Sequence, residues 1–444
     1  MVLEKESINL LKKAVEKLDD GFNLPGLDPA FDMDQMEQVM NQVAEKMVNN
    51  YPYFHPLFAG QMLKPPHPIA RAAYMLAMWI NPNNHAMDGS KASSPMEKEV
   101  VADLAKMFGF SSHLGHLTSG GTMANLEGLW VAGQIHPDKK ILASDQSHYT
   151  HERISGVLKL PFEKVATDAE GRMDINDLES KLQSGDIGTV VCTMGTTGLG
   201  VVDPLDKVIE LQKQYDFRIH ADAAYGGYFK LLDNLDESTV HKYSLPSEVD
   251  SIVVDPHKHG LQPYGCGCIL FKDPNVAAHY LHDSPYTYFT SDELHLGEIS
   301  LECSRAGASA VALWATHQLL PPTKNGAFAQ DLAKSTKAAM ELYKKLDESE
   351  QFIPLVKPET DIVVWAIKGD TTTQMSELAN QCFIEAEKND LYLSLYKFPT
   401  SKLNSSDAFN IDSEYLTCLR SCLMKPEHLD WLEEIYSRLK SSLT

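Results

Sequence analysis

Between about Ser94 and Leu320, short β-branched runs alternate with helical segments. The runs are ILAS (141–144), TVVCTMG (189–195), FRIHADAA (217–224) and SIVVD (251–255), with the helical DPLDKVIELQKQY between the second and third. Apolar strands separated by helix-length polar segments predict a largely parallel sheet covered by helices, the α/β class, whose ligands lie beyond the carboxyl ends of the strands. A segment of helices extends to about Asn50, and a Pro-rich stretch from His55 to Pro68 cannot be a regular helix. After LLPPTKNGAF (319–328) the pattern changes, and a smaller α/β unit follows, with Leu355 to Ile367 as its clearest strand region. The reading is therefore three units: an N-terminal helical arm at 1–90, a large domain at 91–321 and a small C-terminal domain at 322–444. Met33, Met36, Met40, Val43 and Met47 share one helical face, which reads as core or subunit-interface packing.

Charge and cysteine usage narrow the class of function. The 444 residues carry a formal net charge of -22, which opposes contact with a phosphate backbone, so no nucleic-acid partner is expected. Seven cysteines, an odd number without a Cys-x-x-Cys pair, read as buried free thiols in a reducing compartment. The N-terminal segment is charged from Glu4 onward and has no signal-type apolar core. No apolar run approaches the ~18 residues of a membrane span, so no membrane partner and a cytoplasmic location are expected.

The turns after the strands hold the chemistry. SIVVDPHKHG (251–260) delivers His257 and Lys258 to a turn, and the run ending in HADAAYGG places Asp222 at a strand end. Either feature alone is compatible with an ordinary polar strand end. Together they suggest a pyridoxal phosphate (PLP) enzyme. Such an enzyme needs a lysine amine to hold the cofactor aldehyde as a Schiff base and an acid to keep the pyridine nitrogen protonated. Thr118-Ser119-Gly120-Gly121-Thr122 opens a helix whose free N–H groups suit a phosphate, although a plain helix N-cap would look the same. No Lys follows the glycines, which excludes a P-loop. His148 and His151, with His220 and Asp222, have metal-like spacing, but that reading leaves Lys258 and the glycines without a role; no metal is expected.

With HLTSGGTMANLEGLW (116–130), ILASDQSHYTHERISG (141–156) and TVVCTMGTTGLGVVDPL (189–205), these motifs make the chain resemble the group II PLP-dependent amino acid decarboxylases, the family of aromatic amino acid, glutamate and diaminobutyrate decarboxylases. The resemblance runs from about His55 to the C-terminus. It implies PLP fold type I (aspartate aminotransferase-like), a homodimer with shared active sites, and an L-amino acid substrate. It assigns the cofactor phosphate to Ser119, Gly120, Gly121 and Thr122, ring stacking to His148, and an approach to the ring or the substrate carboxylate to Thr196. Asp222 would pair with the pyridine nitrogen, Ala224 would pack under the ring, and Lys258 would carry the Schiff base, with Asp255 and His257 as cofactor neighbours. Asp255 departs from the Asn common in the aromatic and glutamate branches, and Gln262-Pro263 leans toward the diaminobutyrate branch. A tyrosine on the segment after His282, Tyr288 or Tyr286, would return a proton to Cα. His55 on the arm, Arg305 and Arg420 are the candidates for the substrate.

The expected reaction is loss of carbon dioxide from Cα to give an amine. The same cofactor would also support an aminotransferase or another PLP lyase, which its products would reveal. A non-catalytic scaffold of the same fold would lack the cofactor's colour.

Overall fold

The seven residues of Ile187–Thr193 are all buried, and they form an interior strand of a sheet covered on both faces. Such a strand reads as a continuous apolar run with no alternation. The structure is a computed structural model that describes residues 5–26, 31–281, 295–403 and 409–443. The larger sheet contains β1 (Leu114–Thr118), β2 (Lys140–Ser144), β3 (Phe162–Val165), β4 (Ile187–Thr193), β5 (Arg218–Asp222), β6 (Ser251–Val254) and β7 (Gly267–Phe271). Their order is β1-β7-β6-β5-β4-β2-β3, and β7 alone runs against its neighbours. The carboxyl ends of β1, β2, β4, β5 and β6 therefore all emerge on one edge.

Helices close both faces. The helix Ser93–Phe108 buries Val100, Val101, Leu104 and Phe108, and it stops at Gly109, whose φ of +87° supplies the left-handed turn of a C-cap. The helix Pro68–Met78 begins with proline at its first position, where a missing N–H costs nothing, and packs on Gly307–Leu319. A second sheet, all antiparallel, has the order β10-β11-β9-β8, with β8 Phe352–Pro354, β9 Ile362–Ile367, β10 Ser394–Pro399 and β11 Tyr415–Cys422. Trp365 of β9 and Leu419 of β11 anchor its core with Leu342 and Leu346 from the helix Ala327–Asp347.

One buried carboxylate joins the two sheets. Glu359, in the segment before β9, accepts from Arg172 Nε at 2.8 Å, from the Val202 N–H at 2.7 Å and from Lys242 Nζ at 3.2 and 3.3 Å. Lys242 is itself buried and also donates to the Val202 carbonyl. Removing the carboxylate strands a buried ammonium, so Glu359→Ala is expected to cost about 3–5 kcal/mol, read as a lowered midpoint in urea unfolding.

The structure removes one of the two readings of the methionine stripe and corrects one cysteine. The helix Met33–Met47 buries none of its residues: Met33 is 66%, Met36 48%, Met40 61% and Met47 61% exposed. Its apolar face is therefore not part of this chain's core. Six of the seven cysteines are buried and free, but Cys303 is exposed. Among the described residues no helix is long and apolar enough to cross a membrane.

Candidate active site

The shared carboxyl edge of the strands surrounds a cavity of about 340 Å³. After β1, Gly120 takes a φ of +152°, and the helix Gly121–Ile135 starts without a side-chain cap, leaving its first N–H groups toward the cavity. The glycine at 121 is required by space, because a Cβ there would lie 2.6 Å from Asp255 Oδ2. The Ser119 N–H donates to Glu302 Oε2 at 2.9 Å, so this turn already attracts a carboxylate.

Asp222 ends β5 facing the cavity. Its Oδ1 accepts from the Ala224 N–H at 3.1 Å, and its Oδ2 lies 2.8 Å from His151 Nε2. Burial acts most strongly on this carboxyl and would raise its pKa. The His151 hydrogen bond and the Lys258 ammonium outweigh burial and hold it well below the usual carboxylate range. Lys258 follows β6 in a turn where its N–H donates to the Asp255 carbonyl, and its Nζ sits 3.1 Å from Asp255 Oδ2. His257 Nε2 is 3.6 Å from the same oxygen. His148, after β2, lines the cavity with Nδ1 2.8 Å from Thr150 Oγ1, and burial keeps its ring below the ordinary imidazole pKa.

The cavity thus gathers Ser119, Gly120, Gly121, Thr122, His148, Asp222, Ala224, Asp255, His257 and Lys258 from the sequence reading. Four other candidates lie outside its lining. Thr196 is buried, accepting from the Val201 N–H, and its neighbour Thr197 takes the place on the wall. Arg420 donates to the carbonyls of Thr197 at 2.6 Å and Gly198 at 3.0 Å, which puts it behind that wall. Arg305 is spent on Glu97 at 2.8 Å and on the carbonyls of Leu117 and Asn84. His55 accepts from the Leu57 N–H and packs its ring edge-on against Trp431 at 4.8 Å. Tyr286 and Tyr288 lie outside the described residues. The histidines of the metal-like spacing diverge: His220 binds Ser251 Oγ and Asn125 Oδ1, while His151 turns to Asp222.

Sequence reasoning did not assign His151 to Asp222, or place Thr197 and Tyr225 on the wall. The available signal was His151's position three residues after His148, as the second residue of the helix Thr150–Leu158. The contact makes a prediction. In His151→Leu, burial at Asp222 is less opposed, its pKa rises, and the acidic limb of the pH–kcat profile should move to higher pH.

Chemically, the cavity offers a glycine turn with free N–H groups for an anion, a carboxylate kept ionised at its floor and a primary amine at its side. Among the described residues Asp255 Oδ1 and His257 Nδ1 are buried without hydrogen-bond partners. These features fit a flat heterocycle bearing a phosphate at one end and a basic ring nitrogen at the other, as PLP does.

Comparisons with known proteins agree. The "Pyridoxal-dependent decarboxylase conserved domain" matches residues 25–368. The chain is 28% identical over 454 aligned positions to an L-tyrosine decarboxylase of Enterococcus faecium, covering 78% of this chain and 74% of the relative. It is 28% identical over 289 positions to an L-aspartate decarboxylase of Thermococcus kodakarensis, covering 63% and 72%. The crystal structure of mouse CSAD superposes with a TM-score of 0.79 at 19% identity, over 97% of this chain and 92% of that one. The glutamate decarboxylase domain of a diaminobutyrate-pyruvate transaminase and L-2,4-diaminobutyrate decarboxylase from Vibrio parahaemolyticus gives 0.75 at 21% identity, over 99% and 94%. At these identities the two structures share the fold alone.

Proposed function

Since the chain belongs to the pyridoxal-dependent decarboxylase family, with the type I fold of PLP enzymes, we propose that it releases the α-carboxylate of an L-amino acid as carbon dioxide and leaves the amine. The observation that carries this reading is the Asp222 carboxylate, held ionised by His151 in the same cavity as the Lys258 amine and the glycine turn. When bound, PLP supplies a ring that accepts the electron pair left as the Cα–carboxylate bond breaks.

The remaining roles belong to the chain. Lys258 Nζ would hold the cofactor at its aldehyde carbon. Ser119, Gly120, Gly121 and Thr122 hold the phosphate, and the negative charge of Asp222 retains a proton on the ring nitrogen. His148, whose pKa burial lowers, would lie against one face of the cofactor ring. Ala224 is small enough to let the other face approach the backbone. Tyr288 or Tyr286 returns a proton to Cα.

We further propose a homodimer, supported by the exposed methionine face of Met33–Met47, a contiguous apolar stripe that a monomer would leave in water. Met36→Glu combined with Met40→Glu is expected to shift the sedimentation profile from dimer to monomer. A reducing compartment accords with seven free thiols. The reaction is tested by a panel of natural L-amino acids, led by L-tyrosine and L-aspartate because the relatives are named for them. Equal amounts of carbon dioxide and amine are expected from one or more. A keto acid without carbon dioxide would make the protein an aminotransferase.

A further inference from the structure

A second cleft, of about 640 Å³, lies where the Pro-rich segment, the helix Ala327–Asp347 and the turn after β11 meet. Its cationic end holds Lys64 and Lys425. Lys425 is buried, and its Nζ donates to the Phe58 carbonyl at 2.6 Å; Lys64 Nζ reaches only the Met424 carbonyl, at 3.4 Å. Neither amine has a carboxylate partner among the described residues. Burial pushes both amines down, Lys64 to about 8 and Lys425 to about 7, the second further opposed by the first. The nearby carboxylates of Asp361, Glu427 and Asp331 act on these amines only from beyond ion-pair distance, so an anion from solution placed between the two would gain charge-assisted contacts that the chain does not provide.

The rest of the lining limits which anion fits. Pro66, Phe328 and Met424 make an apolar wall. Asp331 and Glu427 also line the cleft, and Asp361 stands beside His259 at its back. Carboxylates so near the amines would repel a polyphosphate and leave room for a single negative charge. His259 closes the back of the cleft with both ring nitrogens lacking hydrogen bonds, although Nε2 lies 3.3 Å from Asp361 Oδ2. Its ring packs at 4.8 Å from Tyr225, which lines the first cavity, and it immediately follows Lys258.

We propose that this cleft is a second ligand site, separate from the cofactor cavity, for a small monocarboxylate with an apolar body, its carboxylate between Lys64 and Lys425. The bound molecule bridges the N-terminal arm, the large domain and the small domain. This inference does not depend on the reaction proposed above.

Phenylacetate titrated calorimetrically into the cofactor-loaded enzyme is the probe. One site per chain is expected, without change in the cofactor's visible absorbance. Lys425→Met and Lys64→Met should each weaken binding by about tenfold or more, as should replacing the probe with neutral phenylacetamide. Both variants should fold, because each exchanges an amine bonded to one backbone carbonyl, with no ion pair, for an apolar chain of similar length. No saturable binding would overturn the proposal, and so would unchanged affinity in Lys64→Met. Binding that alters the cofactor absorbance and is competed by the substrate amino acid would place the probe in the first cavity and also overturn it.

Discussion

Lys258→Ala is expected to yield a folded, colourless protein whose turnover falls by about 10⁴-fold or more. The lysine side chain is 22% exposed, and its ion pair with Asp255 is the contact it would lose. The helices and strands around it are held by other residues, so the circular dichroism spectrum should match wild type. Loss of activity with intact fold separates a chemical role from a packing one. A variant that stayed coloured and active would move the covalent attachment to another residue.

Asp222→Asn should keep its cofactor yet lose about 10²–10³ in kcat, on the order of 3–4 kcal/mol of barrier. The amide can still hydrogen-bond to His151, so the geometry at the end of β5 survives. What disappears is the negative charge that keeps a proton on a ring nitrogen in a buried setting. Cofactor stoichiometry and kcat measured on the same preparation distinguish the two effects. Near-normal turnover with full cofactor would show that another group faces the ring.

Four strands were readable because a strand buried on both faces leaves an apolar run, and the polar residues that end it are conspicuous. Thus ILAS, TVVCTMG, FRIHADAA and SIVVD are β2, β4, β5 and β6 with their flanks, and Asp222 and Lys258 emerge on one edge because these strands are parallel. Side-chain direction within turns was not readable. Thr196 and Thr197 differ by one residue, yet only the second faces the cavity. From sequence Arg305 and Arg420 read equally as substrate binders or as structural ion pairs; in the fold Arg305 pairs with Glu97, and both guanidinium groups donate to backbone carbonyls. The methionine stripe showed an apolar face but not what covers it, since core and interface have the same periodicity.

The covalent role of Lys258 can be tested directly by reducing the coloured enzyme with borohydride and mapping its peptides by mass spectrometry. The reduced cofactor's mass is predicted on the peptide containing Asp255-Pro256-His257-Lys258 and at Lys258 within it. Finding that mass on a different lysine, or on none in an enzyme that remains active, would contradict the assignment.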